Sequence, residues 1–120
     1  MLSVALADVY DTQIRGLSPE RVAAALKVTM TDIARIADVH RNTLARAPDS
    51  PKVQGRLGEI MRVLTDAAAL LGDDQGRAVV WFRHQPLAGF EGQTAEELVA
   101  TGHADAVLAH LRMLRDGAYA

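Results

Sequence analysis

The sequence predicts an all-α protein, and three observations carry the prediction. Alanine, leucine and arginine are abundant while aromatic residues make up only 4% of the chain, a composition that favours helices over strands. Helix-start signals recur at Ser18-Pro19, at Thr29 with Asp32 and at Thr94 with Glu97. Downstream of these signals the apolar residues repeat at three- and four-residue spacing. The 120 residues suffice for one domain or two very small subdomains that bury about two-thirds of the unfolded chain's surface.

Composition excludes several function classes. Without cysteine there can be no disulfide, thiolate metal site or cysteine nucleophile. The opening MLSVALADVY lacks a basic start and meets Asp8 and Asp11 early, so neither a signal peptide nor a membrane span is expected, and a cytoplasmic protein is. The net charge of −2 hides a split. Residues 1–66 hold nine Lys or Arg against eight Asp or Glu, and residues 67–120 hold four against seven. Residues 35–62 form a local basic patch: Arg35, Arg41, Arg46, Lys52, Arg56 and Arg62 against three acids.

Taken in order, residues 2–15 read as a first helix, although Leu2, Val4 and Leu6 also alternate as a short strand would. Ser18 is a cap, Pro19 suits the first helical position, and Leu17 is placed to staple onto Val22, which predicts a helix to about Lys27. Thr29 and Asp32 open the next helix, with Ile33, Ile36 and Ala37 inward and an end at Asp38. The run Asp38-Val39-His40 then leads into Arg41-Asn42-Thr43-Leu44-Ala45-Arg46. Two short helices around a corner with an inward Val39 and Leu44 have the pattern of a helix-turn-helix. On that reading Arg41, Asn42, Thr43 and Arg46 lie on the DNA-reading helix. Arginine and asparagine can meet base edges there, and threonine a phosphate. A helical corner that never touches DNA fits the same residues.

After Pro48 and Pro51, the stripe Val53, Leu57, Ile60, Met61, Leu64, Ala68 and Leu71 predicts the longest helix, ended by Gly72. It is too long for one module and should join an N-terminal helix-turn-helix module (1–66) to a C-terminal helical module (67–120). Asp73 or Asp74 can cap the next helix, which holds Val79, Val80, Trp81 and Phe82 and stops before Pro86. Trp81 and Phe82 read as core of the C-terminal module rather than as partner contacts. Thr94 and Glu97 form a capping box for a helix from Ala95, and Gly102 ends it. A last helix starts near His103 or Ala104, buries Ala104, Val107, Leu108, Leu111 and Leu114, and stops at Gly117.

No catalytic constellation is present, so an enzyme is not expected. No nucleophile elbow surrounds Ser3, Ser18 or Ser50, there is no Gly-Lys phosphate loop, and His-Glu-x-x-His is absent. His103 and His110 could share a helix face, and Asp73-Asp74 could suggest Mg²⁺, but incidental placement and helix capping account for them. No cofactor or metal is expected.

The segment from Trp81 onward resembles the C-terminal toxin-binding domain of Xre/MbcA/ParS antitoxins. The resemblance rests on Trp81-Phe82, Pro86, Gly92-Gln93-Thr94 before Glu97-Leu98, Thr101-Gly102 and the closing Gly117-Ala118-Tyr119-Ala120. Ala95 stands where that family usually opens the helix with proline. Asp38 stands where the Xre-type corner usually has glycine. The resemblance implies an antitoxin of a type II toxin-antitoxin system whose partner is a RES-domain toxin, an enzyme that consumes NAD or transfers its ADP-ribose. It implies that the C-terminal residues enter and block the toxin's NAD-binding cleft, with toxin contacts at Arg112, Arg115, Gly117, Ala118, Tyr119 and Ala120. It further implies repression of its own operon through operator DNA, as a homodimer or a higher hetero-oligomer with the toxin. Read without the resemblance, the tail is better taken as a frayed chain end. The alternative function is a DNA-binding transcriptional regulator whose C-terminal module only dimerises.

Overall fold

The computed structural model describes residues 6–117, which form a mostly helical protein. In chain order it comprises α1 (Leu6–Val9), β1 (Tyr10–Asp11), β2 (Gly16–Leu17), α2 (Pro19–Leu26), α3 (Met30–Ala37), α4 (Arg41–Arg46), α5 (Pro51–Leu70), α6 (Gln75–His84), α7 (Ala95–Ala100) and α8 (Ala104–Arg115). The helix starts follow from their caps. Ser18, Ser50 and Asp74 each accept a backbone N–H three residues on, and Thr29 and Thr94 complete reciprocal boxes with Asp32 and Glu97.

Four helices end alike. After α2, α3, α5 and α7 one residue turns left-handed and the next N–H reaches back: Val28 to Ala23 O, Val39 to Ala34 O, Asp73 to Ala68 O (2.7 Å) and His103 to Leu98 O. Gly72 and Gly102 suit this conformation at φ 74° and 87°, but Lys27 and Asp38 hold it with side chains, at φ 59° and 54°. Lys27→Gly should therefore stabilise the fold. Relief of roughly 1–2 kcal/mol of left-handed strain outweighs the roughly 0.5–1 kcal/mol of extra chain entropy that glycine brings. A thermal melt should rise by a few degrees.

The expected helix over residues 2–15 is corrected. The described part of that segment is the four-residue α1 followed by an antiparallel hairpin pairing Tyr10 with Leu17 and Asp11 with Gly16. Partners elsewhere in the chain hold the hairpin in place. Gln54 of α5 accepts the Leu17 N–H (2.7 Å) and donates to the Leu17 and Pro48 carbonyls (2.9 and 2.8 Å). Arg21 donates to the Tyr10 carbonyl (2.7 Å), and the Ser18 N–H donates to the Val9 carbonyl (2.7 Å). Any side chain at Gly16 would collide with the Gln54 amide, which explains glycine there.

A single cluster of buried apolar residues runs from Val9 to Leu111 with α5 at its centre, packed by β2, α2, α3, α6 and α8. Val53, Leu57, Ile60, Met61, Leu64 and Ala68 are buried as the stripe predicts, while Leu71 is half-exposed. Val63 and Ala67 are buried as well, because α5 meets neighbours around more of its girth than a surface helix does. Among the described residues no helix is long and apolar enough to cross a membrane.

Candidate functional site

Two surfaces gather the candidate residues. The first is the corner between α3 and α4. Asp38 turns left-handed, half-buried Val39 packs against the core, and His40 caps α4 by accepting the Asn42 N–H on Nδ1 (3.1 Å). Buried Leu44 anchors α4, leaving Arg41, Asn42 and Arg46 exposed and Thr43 half-buried along its outer side. Arg41 donates to Thr31 Oγ1 (3.1 Å), which lays its side chain along α3.

The basic patch is smaller than its sequence count. Arg35 binds Glu96 (2.9 Å), and Arg56 donates to the Ala37 carbonyl (2.9 Å) and pairs with Glu59 and Asp38. Those two cations serve the fold. Arg41, Arg46, Lys52 and Arg62 are exposed and form no salt bridge among the described residues, so they are the charges left to meet an anionic partner.

The second surface is built by the C-terminal half. Phe82 is fully buried whereas Trp81 is only half-buried, so the aromatic pair divides between core and surface. Pro86 pairs with Thr94 in an isolated antiparallel bridge, and the Leu87 N–H donates to the Gln93 carbonyl (2.9 Å). This bridge delivers Thr94 to the start of α7. The helix α8 buries Ala104, Val107 and Leu111, with Leu108 and Leu114 half-exposed. His110 packs edge-on against Phe90 at 5.6 Å, and His103 Nδ1 lies 3.0 Å from Thr101 Oγ1. The two histidines thus have separate local partners. Among the described residues no group of three His, Asp or Glu side chains could hold a metal.

Arg112 and Arg115 are exposed near the end of α8, and Arg115 pairs with Asp116 (3.2 Å). Gly117 takes φ 67° and its N–H donates to the Leu114 carbonyl (3.2 Å), closing the helix. Ala118, Tyr119 and Ala120, expected at the toxin contact, lie outside the described residues. Beside this helix end is an apolar hollow of about 220 Å³ lined by Ala67, Leu70, Leu71, Trp81, Leu111 and Leu114. Only Trp81 of this lining figured among the function candidates in the sequence. Leu71 reads as the end of a core stripe, and no spacing rule shows which end of a long helix its neighbours leave bare.

The two surfaces are tied by Glu96 at the start of α7. Its carboxylate, 13% exposed, receives Arg35 of α3 (2.9 Å) and Arg83 of α6 (3.4 Å). A charge-assisted link of this kind holds α3 and α7 in one relative position.

Comparison with family models, curated proteins and solved structures gives no match to this chain.

Proposed function

We propose that this chain is a type II antitoxin of the Xre/MbcA/ParS kind, which neutralises a RES-domain toxin by placing its C-terminal residues in the toxin's NAD cleft. In this reading α3 and α4 are a helix-turn-helix that binds operator DNA. The observation that carries it is where the motif residues fall. Pro86 and Thr94 form the bridge before α7, Thr94 and Glu97 its capping box, Gly102 its left-handed end, and Gly117 the left-handed end of α8. Residues shared with a family's motif thus sit at the joints that shape the C-terminal half. Residues 1–66 would serve DNA and residues 67–120 the toxin, with α5 common to both. The chain itself would be no enzyme and need no cofactor, since NAD belongs to the toxin, and it would act in the cytoplasm.

A plain transcriptional regulator is the second reading, favoured by the apolar hollow, which could serve pairing alone. One experiment separates the two. Arg41→Ala/Arg46→Ala should abolish binding to the protein's own promoter, while cells co-expressing the toxin stay protected. Wild-type binding should weaken with salt in proportion to the phosphates neutralised. If the wild-type protein, with or without toxin, fails to shift the promoter at low salt, DNA binding is wrong. If it shifts the promoter yet never protects cells, the regulator reading replaces the antitoxin.

A further inference from the structure

Between the α3–α4 corner and α7 lies a recess of about 590 Å³, whose lining includes Val39, His40, Lys52, Gln93, Glu97 and Ala100. That volume falls within the range of small-molecule sites, about 300–1,000 Å³. Paired charges brace its walls. Arg35 of α3 binds Glu96 of α7 (2.9 Å), and Arg56 of α5 holds the corner at the Ala37 carbonyl (2.9 Å) and at Asp38 (3.5 Å). The groups left over line the recess itself. The Lys52 ammonium and the Gln93 amide form no hydrogen bond or ion pair among the described residues. Glu97 uses Oε1 for its capping box with Thr94 (2.9 and 3.2 Å), which leaves Oε2 without a donor among the described residues. His40 accepts the Asn42 N–H on Nδ1, so the neutral ring carries its proton on Nε2 and is a donor there. A cation and an anion thus line one recess without pairing with each other or with any described side chain.

We infer that this recess binds a free α-amino acid with an apolar side chain. The charges select a zwitterion. A plain anion would meet Lys52 but also the Glu97 carboxylate, and a plain cation would meet Glu97 but also Lys52. A molecule that carries both charges on neighbouring atoms satisfies the two at once. Its carboxylate takes the Lys52 ammonium and the His40 Nε2–H, its ammonium gives to Glu97 Oε2, and the Gln93 amide can serve either end. The side chain lies against Ala34, Val39 and Ala100, the apolar part of the lining. Such a ligand joins the corner that starts α4 to the helix α7. The inference is independent of the antitoxin reading, because it uses neither DNA nor toxin.

Titration of the isotope-labelled full chain with L-leucine up to roughly 20 mM, followed by amide NMR shifts, tests it. Saturable shifts are expected at Val39, Lys52 and Glu97 and their neighbours along the recess. Isocaproate, which lacks the ammonium, and isoamylamine, which lacks the carboxylate, should each bind at least about tenfold more weakly than leucine. Two variants assign the charges. Lys52→Gln changes an exposed side chain, and Glu97→Gln keeps a residue able to complete the capping box, so both should fold. Lys52→Gln should weaken leucine and isocaproate but not isoamylamine, and Glu97→Gln should weaken leucine and isoamylamine but not isocaproate. Unfolding would not produce that crossed pattern. No shift with leucine at the highest concentration, isocaproate binding as tightly as leucine, or both variants binding leucine as tightly as wild type would each overturn the proposal.

Discussion

Phe82→Ala should lower the stability of this protein by about 3–5 kcal/mol, the usual cost of removing a buried aromatic ring. Phe82 is the largest fully buried side chain, with no exposed surface. It lies on α6, which packs on α5 and on α7, so the ring sits where the long helix meets the C-terminal helices. The cost combines the lost transfer of the ring from water with a cavity that three helices, pinned by caps and ion pairs, can only partly collapse. Against a typical total of about 5–15 kcal/mol, this is a large fraction of the stability. The midpoint of thermal unfolding should fall by on the order of 10–20 °C. Its neighbour provides the control. Trp81 is half-exposed at the rim of the hollow, so Trp81→Ala should cost clearly less stability. A loss under about 1 kcal/mol for Phe82→Ala would show that α6 is not anchored through this ring.

The helix starts were legible because their causes are local. Ser18, Thr29, Asp74 and Thr94 act on N–H groups only three residues away, a distance that sequence spacing reports directly. The apolar faces of α5 and α8 were legible for the same reason, since helical periodicity fixes which residues share a side. Helix ends were legible at Lys27 and Asp38 as well as at Gly102, but the left-handed turn that closes them is announced by the residue itself only where glycine stands. Gly102 announced the end of α7, whereas Lys27 gives no sign that it will turn left-handed. What holds it there is the reach of the Val28 N–H to Ala23 and the packing of α2 on α3.

Features that depend on distant partners were hidden. The hairpin at residues 10–17 exists because Gln54, 37 positions from Leu17, answers both of that residue's backbone groups. Nothing near Leu17 signals it. Likewise Arg35 belongs to the basic patch by count, but Glu96, 61 positions away, has already taken its charge. A patch read from composition therefore overstates the charge that a partner can use, and the excess is set by which cations the fold itself consumes. On α8 the positions of Arg112 and Arg115 could be read as off the buried face, and both are exposed. The hollow beside them could not be read, because its lining comes from three helices separated in the sequence.

If the chain is the antitoxin proposed above, removing residues 116–120 should leave a folded protein that no longer suppresses NAD consumption by a RES-domain toxin. The fold should survive because the buried residues of α8 are Ala104, Val107 and Leu111, all upstream of the cut. The losses are the Asp116 N–H bond to Arg112, the Gly117 N–H bond to Leu114 and an exposed pair between Arg115 and Asp116, and such exposed pairs contribute at most about 1 kcal/mol. Inhibition should fail for a different reason. Gly117 turns the chain out of the helix beside Arg112 and Arg115, and the sequence continues with Ala118, Tyr119 and Ala120. Small residues on either side of a tyrosine let the ring enter a narrow cleft without a clash, and a tyrosine offers a broad apolar face with a hydroxyl at its tip. Rings of this kind dominate binding energy where they are fully enclosed, so Tyr119→Ala alone should weaken inhibition by roughly thirtyfold, about 2 kcal/mol. The rest of the module, from Trp81 to Arg115, would still supply docking area, and the truncated protein should keep some affinity for the toxin without blocking it. The measurement is NAD turnover by the toxin with the shortened protein in excess. Full inhibition under those conditions would make the tail a bystander and move the blockade to the body of α7 and α8.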